Sequence, residues 1–162
     1  MLVLGVDPGS AVTGYGLVEN IAGQLSYCHD EELKLPKKAG IGEKLALLYD
    51  HTAALLTKYN PNQLAVEGIF YGVNVKSMLV LGQARGAVMV AGAKSGLSIN
   101  EYPPALVKQS VVGYGKATKD QVQHMVKLLL KVPKLAGEHS ADALAIAICH
   151  HHQSRLQEWQ RS

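Results

Sequence analysis

The sequence predicts one α/β domain, a five-stranded mixed sheet with helices on both faces. Three features carry that expectation. Short apolar or alternating runs separated by turn residues fill the chain before Ile41, the hydrophobic period then lengthens from two residues to three or four, and beyond Asn60 strand-like and helix-like stretches alternate. No linker, repeat or low-complexity segment interrupts the 162 residues. Residues 1–155 are therefore expected to fold as one unit, with 156–162 a frayed, charged tail.

Each element has its own signal. Leu2-Val3-Leu4-Gly5-Val6 is an apolar run ending at Asp7-Pro8-Gly9, a strand followed by a turn. Thr13–Glu19 and Gln24–His29 read as a hairpin closed around Asn20 and Gly23. Ile41, Leu45, Leu48, Thr52, Leu55, Leu56 and Tyr59 recur at helical steps until Asn60-Pro61, where proline cannot continue the ladder. Leu64-Ala65-Val66 is a fourth, buried strand that ends at Glu67-Gly68. A second helix over Lys76–Lys94 is rich in glycine and alanine, which permit close backbone approach. It is the candidate dimer face, unless its small residues simply pack on the sheet. Leu97–Tyr102 supplies the fifth strand, and Pro103-Pro104 suits the first turn of a short helix. After the loop Gly113–Lys116, Thr118 and Gln121 form a capping box ahead of the apolar stripe Val122, Met125, Val126, Leu129 and Leu130. Pro133 to Gly137 breaks the chain before a final helix over Ser140–His152, buried from Ala141 to Cys149.

Composition excludes little. A formal charge of +3, from 16 Lys+Arg against 13 Asp+Glu, permits a nucleic-acid partner without demanding one. Cys28 and Cys149 stand far apart in no metal-ligand spacing and read as buried, reduced thiols of a cytosolic protein. The first residues lack the basic region of a signal peptide, and the apolar stretch Met78–Ala93 is interrupted by Gln83 and Arg85, which disfavours a membrane span. A cytoplasmic protein with no membrane association is expected. His150-His151-His152 tempts a metal assignment, yet consecutive helical residues point in different directions, and a solvated helix end is the reading adopted.

Three acidic residues sit where charge is out of place. Asp7 and Glu67 each end an apolar strand, and Asp142 lies inside the apolar stretch Ala141–Ala147. A buried carboxylate is costly unless it is paired or binds a metal. Singly, each has a plain explanation: Asp7 as a turn cap, Asp142 as a partner of the helix dipole, Glu67 as half of a lysine pair. Jointly they point elsewhere. If the first and fourth strands are parallel neighbours, Asp7 and Glu67 emerge at the same sheet edge, where open α/β sheets place their sites. His139, three residues before Asp142, shares its helix face. Oxygen ligands with one imidazole suit Mg²⁺ or Mn²⁺, and a pair of such ions clamps both oxygens of a phosphodiester during hydrolysis.

These residues and their surroundings closely resemble the RuvC family of Holliday-junction resolvases, the crossover junction endodeoxyribonucleases, from Met1 to about His151. The likeness rests on Asp7-Pro8-Gly9 with Thr13-Gly14-Tyr15-Gly16, on Val66-Glu67, on Gly82-Gln83-Ala84-Arg85-Gly86, on Lys119–Val126 and on Ala141-Asp142-Ala143-Leu144-Ala145. It implies a ribonuclease-H-like fold, a homodimer, and two Mg²⁺ ions per active site with Mn²⁺ as a substitute. The implied reaction is symmetric nicking of four-way DNA junctions in recombination and repair, leaving 5′-phosphate and 3′-hydroxyl ends. Branch-migration motors of the RuvA and RuvB type are the implied protein partners.

The resemblance places metal ligands at Asp7, Glu67 and Asp142, with a fourth at His139, where the family often has aspartate. A neutral imidazole there reduces the negative charge of the site and makes metal binding sensitive to protonation. Lys108 and Lys119 match lysines near the scissile phosphate. Lys119 also follows the Thr118 cap, where a cation is mildly unfavourable unless an anion is near. Lys116 would add to that phosphate-facing surface. Phe70 matches a position that stacks on unpaired bases, and Tyr71 either joins it or folds onto the core. Arg85 is expected to serve packing or a helix end, with phosphate contact left open.

Three rival readings stand beside this one. An actin-like or sugar-kinase-like ATPase shares the Asp-x-Gly start but needs a second similar domain, for which this length leaves no room. A catalytically silent junction-binding module would not need the carboxylates. A related nuclease acting on RNA or flaps would share the site, and comparing a four-way junction with linear duplex as substrate separates it.

Overall fold

The computed structural model describes residues 1–68 and 74–161. Its five strands form one sheet in the order β3-β2-β1-β4-β5. β1 (Leu2–Asp7), β2 (Val12–Ile21) and β3 (Gln24–Lys34) make an antiparallel meander. β4 (Gln63–Glu67) and β5 (Ser98–Tyr102) add in parallel on the other side of β1. α1 (Ile41–Tyr59) leads from β3 to β4, and α2 (Val75–Lys94) leads into β5. α3 (Pro104–Val112), α4 (Lys119–Leu130) and α5 (Glu138–Arg161) complete the chain. The β2–β3 connection is a two-residue turn with positive φ at Ala22 and Gly23, the twist that suits a hairpin, and Asn20 Oδ1 accepts the Gly23 N–H at 2.9 Å.

The sheet is covered on both faces. On one, α3, α4 and α5 pack over Val3, Val18 and Ala65, with Val107, Val111, Val122, Val126, Leu144 and Ile148 filling the core. On the other, Leu55 and Leu56 of α1 and Val88 and Ala91 of α2 pack on Leu4, Val6, Tyr15, Leu17, Leu64 and Val66. α5 lies unusually close to β1 and β2 because glycines face it. A Cβ on Gly5 would come within 2.0 Å of the Ala143 carbonyl oxygen, and one on Gly14 within 1.9 Å of that of His139. These missing side chains set the height of α5 above the strands that carry Asp7.

Several boundaries differ from expectation. β3 continues past His29 to Lys34, because a bulge opposite Leu17/Val18 lets Asp30 and Glu32 face α5 while Glu31 and Leu33 face α1. α5 starts at Glu138 and runs to Arg161, so most of the expected frayed tail at 156–162 is helical; no glycine or proline follows Gly137 to stop it. His150 and His151 are consequently mid-helix and only 2% exposed, not solvated. His150 Nδ1 meets the Tyr102 hydroxyl at 2.8 Å and His151 Nε2 donates to the Val18 carbonyl at 2.9 Å. Burial holds His150 down at about 4. Cys28, placed at the bulge, is exposed rather than buried, whereas Cys149 is buried as expected. In α2 the small residues Ala84, Ala91 and Gly92 turn inward, Gly92 against Leu64. Among the described residues, no helix is long and apolar enough to cross a membrane.

Candidate active site

β1 and β4 pair in parallel with Val6 opposite Val66, so the carboxylates one residue further on, Asp7 and Glu67, leave the sheet at the same edge. α5 crosses above that edge on the glycine platform and supplies His139 and Asp142 from its N-terminal end. α3 brings Lys108, and the capped first turn of α4 brings Lys119. Together with Pro104, Val107 and Val122 these six side chains line a cleft of about 310 Å³.

The plain explanations for the carboxylates do not describe what they touch. The Gly9 N–H is taken by Thr13 Oγ1 at 3.2 Å, so the turn after β1 does not depend on Asp7 as its cap. Asp7 Oδ2 instead lies 2.8 Å from His139 Nδ1, and since an ionised carboxylate only accepts, the imidazole donates. Asp142 lies beyond the first turn of α5, with Oδ2 3.9 Å from Lys119 Nζ. Burial pushes Glu67 up to about 7, reinforced by Asp7 and Asp142 and opposed by Lys108 and Lys119. Burial and Asp7 likewise push Asp142 up to about 6, against Lys119 and His139. Two lysines do not neutralise three carboxylates, and a hard divalent cation with oxygen ligands is the partner this donor set fits. Among the described residues, no three His, Cys, Asp or Glu side chains are drawn in closely enough to hold an ion as they stand. His139 is engaged with Asp7, and the carboxylates repel one another.

The structure brings Asp7, Glu67, His139, Asp142, Lys108 and Lys119 into one cleft. Lys116 is exposed in the loop before α4 and is not among the residues that line it. Phe70 and Tyr71 lie outside the described residues. Arg85 is 14% exposed; its Nε donates to the Glu67 carbonyl at 3.3 Å and its guanidinium pairs with Glu101, so it ties the end of β4 to α2 and β5. Sequence reasoning missed two contributors altogether. Asp30 and Glu32 on β3 reach the N-terminal end of α5, beyond His29, where the expected third strand ended.

A meander of three strands extended by parallel strands, with carboxylates from β1, β4 and α5 at one edge, defines an acidic-site phosphoryl-transfer enzyme of ribonuclease-H-like fold. The chain belongs to the RuvC family: the family model for crossover junction endodeoxyribonuclease RuvC matches residues 3–150. The enzyme of that name from Syntrophotalea carbinolica is 44% identical over 98% of both chains. That from Geobacter sulfurreducens is 43% identical over 100% of this chain and 99% of its own. Thermus thermophilus RuvC, solved in complex with a Holliday junction substrate, superposes with a TM-score of 0.91 at 32% identity, covering 97% of this chain and 96% of that one. Nucleases of this family are metal-dependent.

Proposed function

We propose that this chain resolves four-way DNA junctions by hydrolysing one phosphodiester in each of two opposed strands, with Asp7, Glu67, Asp142 and His139 as the metal ligands. The observation that carries this reading is the convergence of three carboxylates and two lysines in one cleft at the β1–β4 edge. Two Mg²⁺ ions, or Mn²⁺ in their place, would activate the attacking water and offset charge on the leaving oxygen. Asp7, Glu67 and Asp142 hold that charge in register with the cleft, and their own repulsion is the reason they take it up. His139 reaches its role by giving up its bond to Asp7. Lys119 and Lys108, on the opposite wall, stabilise the negative charge that develops on the phosphoryl oxygens. Lys116 extends the DNA contact beyond the cleft, and Phe70 and Tyr71 offer aromatic rings to unpaired bases. The products are 5′-phosphate and 3′-hydroxyl ends.

The working form is a cytosolic homodimer that acts with branch-migration motors of the RuvA and RuvB type. In support of a dimer, α2 presents Val75, Leu79 and Val90 outward at 70%, 64% and 52% exposure.

Asp7→Asn keeps the shape of the site and removes one anionic ligand. Cleavage of a synthetic four-way junction in Mg²⁺ is expected to fall by roughly 10³-fold or more, while junction binding persists. Undiminished cleavage would remove Asp7 from the mechanism, and equal cleavage of linear duplex would remove the junction.

A further inference from the structure

α5 carries His139 and Asp142, yet the amides at its start are satisfied largely from elsewhere in the fold. Glu32 Oε1 accepts the His139 N–H at 2.9 Å and lies 3.4 Å from the Ser140 nitrogen. Asp30 Oδ2 accepts the Ala136 N–H at 2.7 Å and the Ser140 hydroxyl at 2.6 Å, and Asp30 Oδ1 accepts the Tyr27 hydroxyl at 2.7 Å. Asp30 is only 8% exposed, so a carboxylate at this depth depends on those donors. Both residues come from one strand more than a hundred positions away in sequence, and the β3 bulge is what turns them toward α5. The opposite side of the joint is shaped to match: a Cβ on Gly137 would meet Glu32 Oε1 at 2.1 Å, so glycine there leaves room for the carboxylate. An anionic acceptor at the positive end of a helix is favourable, and a carboxylate accepting backbone N–H groups is a strong, directional clamp.

From this geometry we infer that Asp30 and Glu32 are positioning residues for the metal site. They clamp the first turn of α5 to β3 and so fix where His139 and Asp142 stand relative to Asp7 on β1. A helix end held only by its own first-turn geometry would fray, and fraying here moves two ligands at once. The clamp acts through backbone amides, so it needs acceptor oxygens in place. The inference rests on the metal-site reading above and extends it to residues outside the cleft.

The test compares Glu32→Ala with Glu32→Gln in the full chain. In metal-free protein, the His139 and Ser140 amides of Glu32→Ala are expected to exchange with solvent about tenfold faster, the scale of one hydrogen bond to a charged group, with β1 amides unchanged. Mn²⁺ binding, followed by electron paramagnetic resonance, is expected to weaken about tenfold, the usual effect of losing a group that orients a ligand. Glu32→Gln keeps a carbonyl oxygen as acceptor and is expected to restore most of both properties. Wild-type Mn²⁺ affinity in Glu32→Ala, or a Glu32→Gln variant as impaired as Glu32→Ala, would overturn the inference. If Glu32→Ala does not fold, Gly137→Ala displaces the same carboxylate without removing it; it is expected to weaken Mn²⁺ binding similarly, and an unchanged affinity there overturns the inference as well. Asp7→Asn run alongside separates the two readings. If it still binds Mn²⁺ and cleaves, the metal site itself is misassigned; if it is inactive while Glu32→Ala matches wild type, only the clamp is.

Discussion

Glu67 and Asp142 keep protons that ordinary carboxylates give up. Burial is the main cause for each, with the neighbouring carboxylates adding to it, and the raised values of about 7 and about 6 stand against ordinary ones of 4.5 and 3.8. The sign follows from linkage. A carboxyl whose folded pKa exceeds its unfolded one makes the native state bind more protons, so its stabilising contribution is complete below about pH 4 and is lost as pH rises through 6 to 7. These two carboxyls should therefore take stability from the metal-free protein between about pH 4 and pH 7, by on the order of 2 kcal/mol each once solvent screening is allowed for, while buried His150, held down at about 4, acts in the opposite sense over much of the same range. A divalent ion acts in the opposite direction, since it binds the ionised form. Thermal melting with and without Mg²⁺ across this range should show the Mg²⁺ increment growing as pH rises. Glu67→Gln should remove a contribution that falls with pH, so its metal-free midpoint should rise relative to the parent's as pH increases from about 4 to 7, while cleavage is abolished. A Glu67→Gln variant whose metal-free midpoint follows pH as the parent's does would contradict the crowding of Glu67 by its neighbours.

Among elements, α5 is the one whose placement matters most, and glycines on β1 and β2 decide its height. Gly5→Ala puts a methyl 2.0 Å from the Ala143 carbonyl oxygen and 2.8 Å from the Ala147 nitrogen, both backbone atoms that cannot swing aside. Destabilisation of about 2–3 kcal/mol is expected by denaturant titration, with cleavage lost as α5 lifts away from Asp7. Gly42→Ala in α1, where a Cβ meets nothing within 4 Å, should instead gain up to about 1 kcal/mol and leave activity alone. If the two substitutions behave alike, close contact with α5 is not what Gly5 provides.

The same elements show what was legible in the sequence. β1, β4 and α1 are apolar at the period of their structure, so the elements could be read directly, while the exit of Asp7 and Glu67 at one edge depended on the parallel pairing of β1 with β4. Asp142 could be found because a charge inside an apolar helix has few explanations. The end of β3 could not, because Asp30, Glu31 and Glu32 are polar on both faces and owe their burial to partners distant in sequence. The burial of His150 and His151 was hidden for a related reason: imidazoles near an apparent helix end pass for solvated groups until the helix is seen to continue.

At the scale of the whole molecule, one cleft cannot make two cuts at once. Among the described residues each chain gathers one set of these carboxylates, at the edge shared by β1, β4 and α5, and a junction is resolved only when opposed strands are both cut. In the dimer proposed above, two clefts would stand in fixed relation, with α2 as the proposed surface. Its inward side is occupied by Ala84, Val88 and Ala91, whereas Val75, Leu79 and Val90 recur at helical spacing on the outward side and stay exposed. An apolar stripe of this kind is normally covered in the working assembly. Leu79→Glu combined with Val90→Glu should therefore give a folded monomer, with an unchanged far-ultraviolet spectrum and half the mass by analytical ultracentrifugation. On a supercoiled plasmid bearing an extruded cruciform, the parent should release linear DNA by paired cuts within one binding event. The monomeric variant should accumulate nicked circles, because the first cut relaxes the cruciform before a second chain arrives. A double variant that remains dimeric would place the interface elsewhere, and a monomer that still linearises the plasmid would show that pairing of the cuts does not depend on the dimer.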